Sequence, residues 1–156
     1  MMYEPIQRGI KGLTLARVLM TVCVMEFFGP WGRDYSDTHL FNPDWVGHAR
    51  IHMMWLLGFM LFSGVANVYL IWFTRPLRPI HLYVSFAWLA ANFFGFWLAI
   101  ATAPVYDGLI VVDGIHIPIL GVDENVFVFS VLSLIYVAAF AVFRLRVVPQ
   151  LAKRDA

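Results

Sequence analysis

The chain has 156 residues, 61% of them hydrophobic and 13% charged, with a mean hydropathy of +0.74 and a formal net charge of +1. Soluble domains carry about 25% charged residues, so this balance belongs to the membrane class. No basic stripe is present, which argues against a nucleic-acid partner; the single cysteine, Cys23, excludes an internal disulfide and any one-chain Cys-based zinc or iron–sulfur site.

A spanning helix needs about 20 largely apolar residues, and four segments qualify. The first runs from Leu13 to Gly29, is short, and carries Arg17 and Glu26. It lacks a small-x-small cleavage site and ends in bulky Phe27 and Phe28, so it reads as a retained helix. The second runs over 43–73. Asn42, Pro43 and Asp44 are expected to start it, because Asn caps, Pro fits the first helical position and Asp suits the positive helix end. Pro76 and Pro79 break the chain before the third, over 79–103. The fourth runs over 125–148 behind Asp123 and Glu124. Alternating ten-residue strands are absent, so the expected fold is an all-α integral membrane four-helix bundle, one domain over 1–156.

The charges sort onto two sides. Nine of the eleven Lys and Arg flank the N-terminus, the turn between spans two and three, and the C-terminus; only Arg33 and Arg50 lie elsewhere. The loops 30–42 and 104–124, with the span starts beside them, hold seven of the ten acids. The positive-inside rule therefore places both termini in the cytoplasm of a multi-pass cell-membrane protein. The second loop holds two Asp-Gly pairs among apolar residues and reads as a small hairpin or lid that packs onto the spans or dips into the interface.

Span two opens with "PDWVGHARIHMMW". At 31 residues it would be about 46 Å long against a hydrocarbon core of about 30 Å, so its first turns protrude. His48 and His52 are four apart and share one face, with Trp45 and Trp55 near it, while Arg50 points elsewhere. The preceding loop adds Asp34, Asp37 and His39 and is expected to be able to fold back over that face. Two readings stand. Histidines at i and i+4 can share a divalent metal, and one histidine can be an axial haem ligand. Equally, His, Trp and Arg are ordinary anchors at a membrane interface. A free HxxxH is not the metalloprotease pattern, since Ala49 rather than Glu follows His48. Glu26 reads either as a proton donor or metal ligand, or as half of a buried pair with Arg50. Ser85, Trp88 and Asn92 on span three are expected to face the bundle, as helix–helix hydrogen bonders. His81 and Tyr83 read as anchors at the other boundary, and His116 lies in the second loop.

The segment "ARIH", Ala49 to His52, entered through a Trp-containing loop, resembles the ARxH of styrene oxide isomerases. "GFWLAIATAPVYDGL", Gly95 to Leu109, is similar to that family's Gly-Phe-Tyr-Leu, Pro, Gly-Leu series, and "FVFS", Phe127 to Ser130, to its Phe-Ser-Phe. The resemblance covers spans two to four on short motifs. It implies a four-span protein holding haem b at a subunit interface of a homo-oligomer, a trimer in that family. His52 would ligate the iron, with His48 and Arg50 beside the cofactor. A small apolar epoxide entering from the lipid would be opened to an aldehyde, with Trp55 and Trp97 as aromatic walls. Two positions depart: the family's substrate-positioning Tyr falls on Trp97, and its Asn falls on Gly58, which has no side-chain donor. "THLFNPDWxxHARxH" also resembles a group of small four-span proteins of no assigned activity. Two alternatives stay open: a non-catalytic module binding haem, metal or lipid, and a non-haem metal held by His39, His48, His52 and Glu26.

Overall fold

The computed structural model describes residues 9–110 and 118–153. These residues form four helices long and apolar enough to cross a membrane: Leu13–Arg33, Gly47–Phe73, Pro79–Val105 and Glu124–Ala152. They are spans one to four. Span one comprises α1 (Leu13–Val24), a 3₁₀ turn (Met25–Phe27) and α2 (Gly29–Arg33). Span two is α3 (Gly47–Val68) with a π turn over Tyr69–Phe73, and span three is α4 (Pro79–Thr102) with a 3₁₀ turn over Ala103–Val105. Span four is α5 (Glu124–Val142), a π turn (Phe143–Val147) and α6 (Val148–Ala152). No strand occurs among the described residues, so the expected all-α four-helix architecture holds.

The helix starts follow local chemistry. Gly12 enters α1 at φ 86°, and a side chain there would also press on Arg146, whose Cβ lies 3.1 Å from the position a Cβ would take. The Asp123 carboxylate caps α5, accepting from the backbone N–H of Asn125 (2.9 Å) and of Val126 (3.2 Å). His81 Nδ1 accepts from the Arg78 backbone N–H at the start of α4, so His81 is a cap. Span two departs from expectation. Asn42 Oδ1 accepts from the Asp44 N–H at 2.9 Å, which makes a separate Asx turn, and the helix itself begins at Gly47. Span four runs past 148 to Ala152, because the widened turn at Phe143–Val147 lets Pro149 enter at the first turn of a new helical segment.

Spans one and four pack along their whole length. Gln150 exchanges hydrogen bonds with the backbone of Lys11 (3.0 Å each way), Cys23 Sγ donates to the Leu132 carbonyl, and Arg33 pairs with Glu124 at the far end. Residues 11 and 150 therefore share one end of an antiparallel bundle, the basic end; Arg33 and Glu124 mark the other. Span one buries Leu13, Ala16, Met20, Cys23, Val24 and Phe27, the helical 3-and-4 spacing of a core face. Spans three and four meet through aromatic rings: Phe96 stacks on Phe129 with centroids 3.6 Å apart, and Phe93 and Phe86 each meet Tyr136 edge-on.

Buried polar groups lie at the joints between spans. Ser85 donates to Asn67 Oδ1 at 2.6 Å, so the helix–helix role expected of Ser85 is present; Trp88 packs against the core and Asn92 is half-buried. Trp72 donates to Thr21 at 2.8 Å, and Trp31 donates to the Leu57 carbonyl at 2.8 Å. Gly64 lets span one approach span two: a Cβ there would lie 2.5 Å from Phe28 Cζ. Gly64→Val is expected to cost about 1–3 kcal/mol by overpacking. A denaturant titration of the detergent-solubilised protein checks this, and a Phe28→Ala background should remove most of the penalty if the clash is its cause.

Candidate functional site

The strongest chemical feature stands at the bundle end marked by Arg33 and Glu124. His48 and His52 occupy the first two turns of α3, and both are exposed. Their Nε2 atoms are 3.0 Å apart, one ring donating to the other, with ring centroids 4.5 Å apart and the planes nearly perpendicular. Trp55 stacks beside His52, 6.0 Å away and tilted by 26°. The face continues down the helix as Phe59, Phe62 and Tyr69, in steps of four, three and then seven, all exposed; Phe62 is 74% exposed and Trp55 71%. That stripe was missed as a unit in the sequence, yet its signal is there, in the heptad-like spacing counted from His48.

The loop before α3 folds on itself and leaves the histidine pair uncovered. Tyr35 stacks with Trp31 and meets Phe41 edge-on. Trp45, expected beside the pair, instead contacts His39 edge-on at 6.0 Å. His39 is further held by the Thr38 hydroxyl at 2.8 Å and lies 3.8 Å from Asp34. Burial raises the Asp34 carboxyl above its ordinary range, against the opposing pull of His39 and Arg33.

Arg50 does not pair with Glu26. Its guanidinium donates to the carbonyls of Asn42 (2.8 Å) and Pro43 (3.3 Å), so it clamps the loop onto the helix. Glu26 is buried, and neither carboxyl oxygen has a hydrogen-bond partner among the described residues. Trp97 gives its indole N–H to Ser133 at 3.2 Å, at the joint of spans three and four. The expected non-haem set of His39, His48, His52 and Glu26 is not assembled: no group of three or more His, Cys, Asp and Glu stands together among the described residues. His81 and Tyr83 act at the basic end, His81 as the cap and Tyr83 as acceptor for Arg144.

Of the loop 104–124, residues 111–117 with Asp113, Gly114 and His116 lie outside the described residues. The first Asp-Gly pair does turn the chain, with Asp107 at φ 54° and the Gly108 N–H donating to the Ala103 carbonyl at 2.8 Å. A second reversal falls at Leu120–Gly121, between Ile119 and Val122, where both central residues have positive φ. Leu109 and Leu120 are largely exposed rather than packed on the spans. Phe96, Ile100, Tyr106, Leu109 and Asn125 border a small cleft, which includes none of His48, His52, Trp55 and Trp97.

Comparison with protein-family models, with characterised proteins and with solved structures finds no match to this chain.

Arg50→Ala should release the loop rather than the bundle. Backbone hydrogen exchange is expected to quicken at Trp45 and nearby positions, with a stability loss of about 1.5–3 kcal/mol for the lost charged hydrogen bonds. Arg50→Lys should recover only part, because an ammonium lacks the fork that spans two carbonyls.

Proposed function

We propose that this is a multi-pass cell-membrane protein whose His52 holds an iron porphyrin and whose reaction is the isomerisation of a small apolar epoxide to an aldehyde. The observation that carries the reading is His52 itself, an exposed imidazole within "ARIH" on an aromatic helix face. Charge asymmetry supports a cytoplasmic basic end: Lys11, Arg75, Arg78, Arg144, Arg146 and Lys153 all flank the ends of spans there. The histidine pair then faces the opposite side of the membrane.

The residues would hold the group through one histidine beside a flat apolar wall. His52 supplies the ring nitrogen once it turns from His48. Trp55, Phe59 and Phe62 offer flat apolar surface below it. Among the described residues this face has no opposing wall, so a tetrapyrrole seated here calls for a second copy of the chain to cover it; the reading therefore includes a homo-oligomer. Arg50 would serve the site indirectly, by holding the loop at the mouth of α3.

Bound there, the iron would supply Lewis acidity toward an epoxide oxygen. The chain's own part is to bind and stabilise. Its lipid-facing aromatic surface admits an apolar substrate from the bilayer. The Trp55 ring would offer a π face to positive charge on the substrate carbon. Trp97 is assigned a different task from the one its place in "GFWLAI" implies, because its single donor already serves Ser133.

Detergent-purified protein, expressed with adequate haem supply, is expected to show a Soret band and to rearrange an aromatic epoxide to its aldehyde. His52→Ala should lose both the band and the turnover. A wild type without a Soret band, or turnover that survives in His52→Ala, overturns the reading.

A further inference from the structure

We propose that His48 and His52 together form a chelating site for a divalent transition metal with tetragonal preference, Cu(II) before Ni(II), at the open start of α3. The inference stands on the two rings and does not rest on the porphyrin reading; because both use the His52 ring, the chelate belongs to the porphyrin-free chain.

The geometry places two imidazole nitrogens within chelating reach of one metal. The two Nε2 atoms already converge to 3.0 Å. Two imidazole nitrogens bound at about 2.0–2.1 Å to one metal lie about 2.9 Å apart on a square edge and about 3.4 Å apart on a tetrahedral edge. The observed separation lies nearest the square edge, which Cu(II) and Ni(II) favour. The order of divalent affinities for nitrogen donors puts Cu(II) first.

The pair is also placed for access. Both rings are exposed, although Arg50 pins the preceding loop to the helix through Asn42 and Pro43, and that loop's aromatic residues are engaged among themselves. Span two has 27 residues, about 40 Å as a helix against a hydrocarbon core of about 30 Å, so several residues extend beyond the core. His48 and His52 lie in the first six of them. A metal replaces the hydrogen bond between the rings. Both imidazoles bind neutral, the ring that had donated carrying its proton on Nδ1 instead, and the remaining coordination positions go to water. No bond to carbon and no change of oxidation state is involved.

The test is Cu(II) titration of the full-length protein, purified free of porphyrin in nanodiscs, read by electron paramagnetic resonance. One Cu(II) per chain with an axial spectrum and hyperfine structure from two imidazole nitrogens is expected. His48→Gln and His52→Gln should each weaken binding at least about tenfold. Both side chains are exposed, and helix content by circular dichroism confirms that each variant folds. A His48→Gln/Ile51→His variant keeps the histidine count, puts the second ring at an exposed position adjacent in sequence to His52 and off its face, and should remain as weak as His48→Gln. His39→Gln and His116→Gln should leave binding unchanged. Binding that is indifferent to His48→Gln and His52→Gln, or that the off-face variant restores, overturns the proposal, as does an absence of one-to-one binding. The two readings fail separately: His48→Gln removes the chelate while leaving His52 for a Soret band.

Discussion

Inside an apolar bundle, a polar group that finds no partner within the protein finds none at all. The structure follows that constraint at five joints between helices, while Glu26 and the Ser63 hydroxyl have no hydrogen-bond partner among the described residues. Helical backbone bonding satisfies the main chain, and five buried or part-buried side-chain donors are handed across between spans: Trp31 to Leu57, Trp72 to Thr21, Ser85 to Asn67, Trp97 to Ser133 and Tyr136 to the Phe86 carbonyl. Each bond joins two different spans or their caps, so the same contacts that satisfy polar groups also fix helix register. For helices apolar enough to cross a membrane, apolar packing alone is a weak selector of register, because lipid tails offer a helix the same apolar company as its neighbours. Small residues complete the arrangement, with Gly64 admitting the Phe28 ring where a side chain would hold spans one and two apart.

Span one is the centre of that packing, although it is the least apolar of the four. It is the most buried, and it contacts spans two, three and four. Span four has the highest hydropathy and the smallest buried share. The order is physically consistent: a helix that carries Arg17, Cys23 and Glu26 has reason to turn those groups inward, whereas a helix of Val, Leu and Phe is at ease against lipid. The aromatic face of α3 falls between these cases. It is apolar enough for lipid along Phe59, Phe62 and Tyr69, but it ends in two imidazoles whose nitrogens converge, a feature that apolar packing does not require.

The histidine end shows how a site is kept open. Arg50 sits between His48 and His52 in sequence and points away from them, and its guanidinium takes the two carbonyls that end the preceding loop. The loop is thereby pinned beside the helix, with its aromatic residues engaged among themselves. His39, which composition alone groups with the other two histidines, is captured by Thr38 and Trp45. One cation thus separates three histidines into a pair that stands free and a third that is structural.

Much of this architecture was legible in the chain itself. Four apolar runs of spanning length, Pro76 and Pro79 between the second and third, and an acidic cap before the fourth account for the helix count and most boundaries, since hydropathy and backbone satisfaction leave few other solutions for such a sequence. The i, i+4 spacing placed His48 and His52 on one face. Where the reading missed, the deciding partner was distant or competing. Asn42–Pro43–Asp44 has the residues of a helix start, but Asn42 bonds to Asp44 as a turn and the helix waits until Gly47. Arg50 had a plausible acid in Glu26, yet nearby carbonyls claimed it. The sequence by itself determined four helices long and apolar enough to cross a membrane, with most charges at their ends, because those properties are sums over local composition. Only the tertiary structure decided that Trp97 serves Ser133, that Trp45 serves His39 and that the two imidazole nitrogens meet at 3.0 Å, because a side chain's partner depends on which helix faces it and at what height.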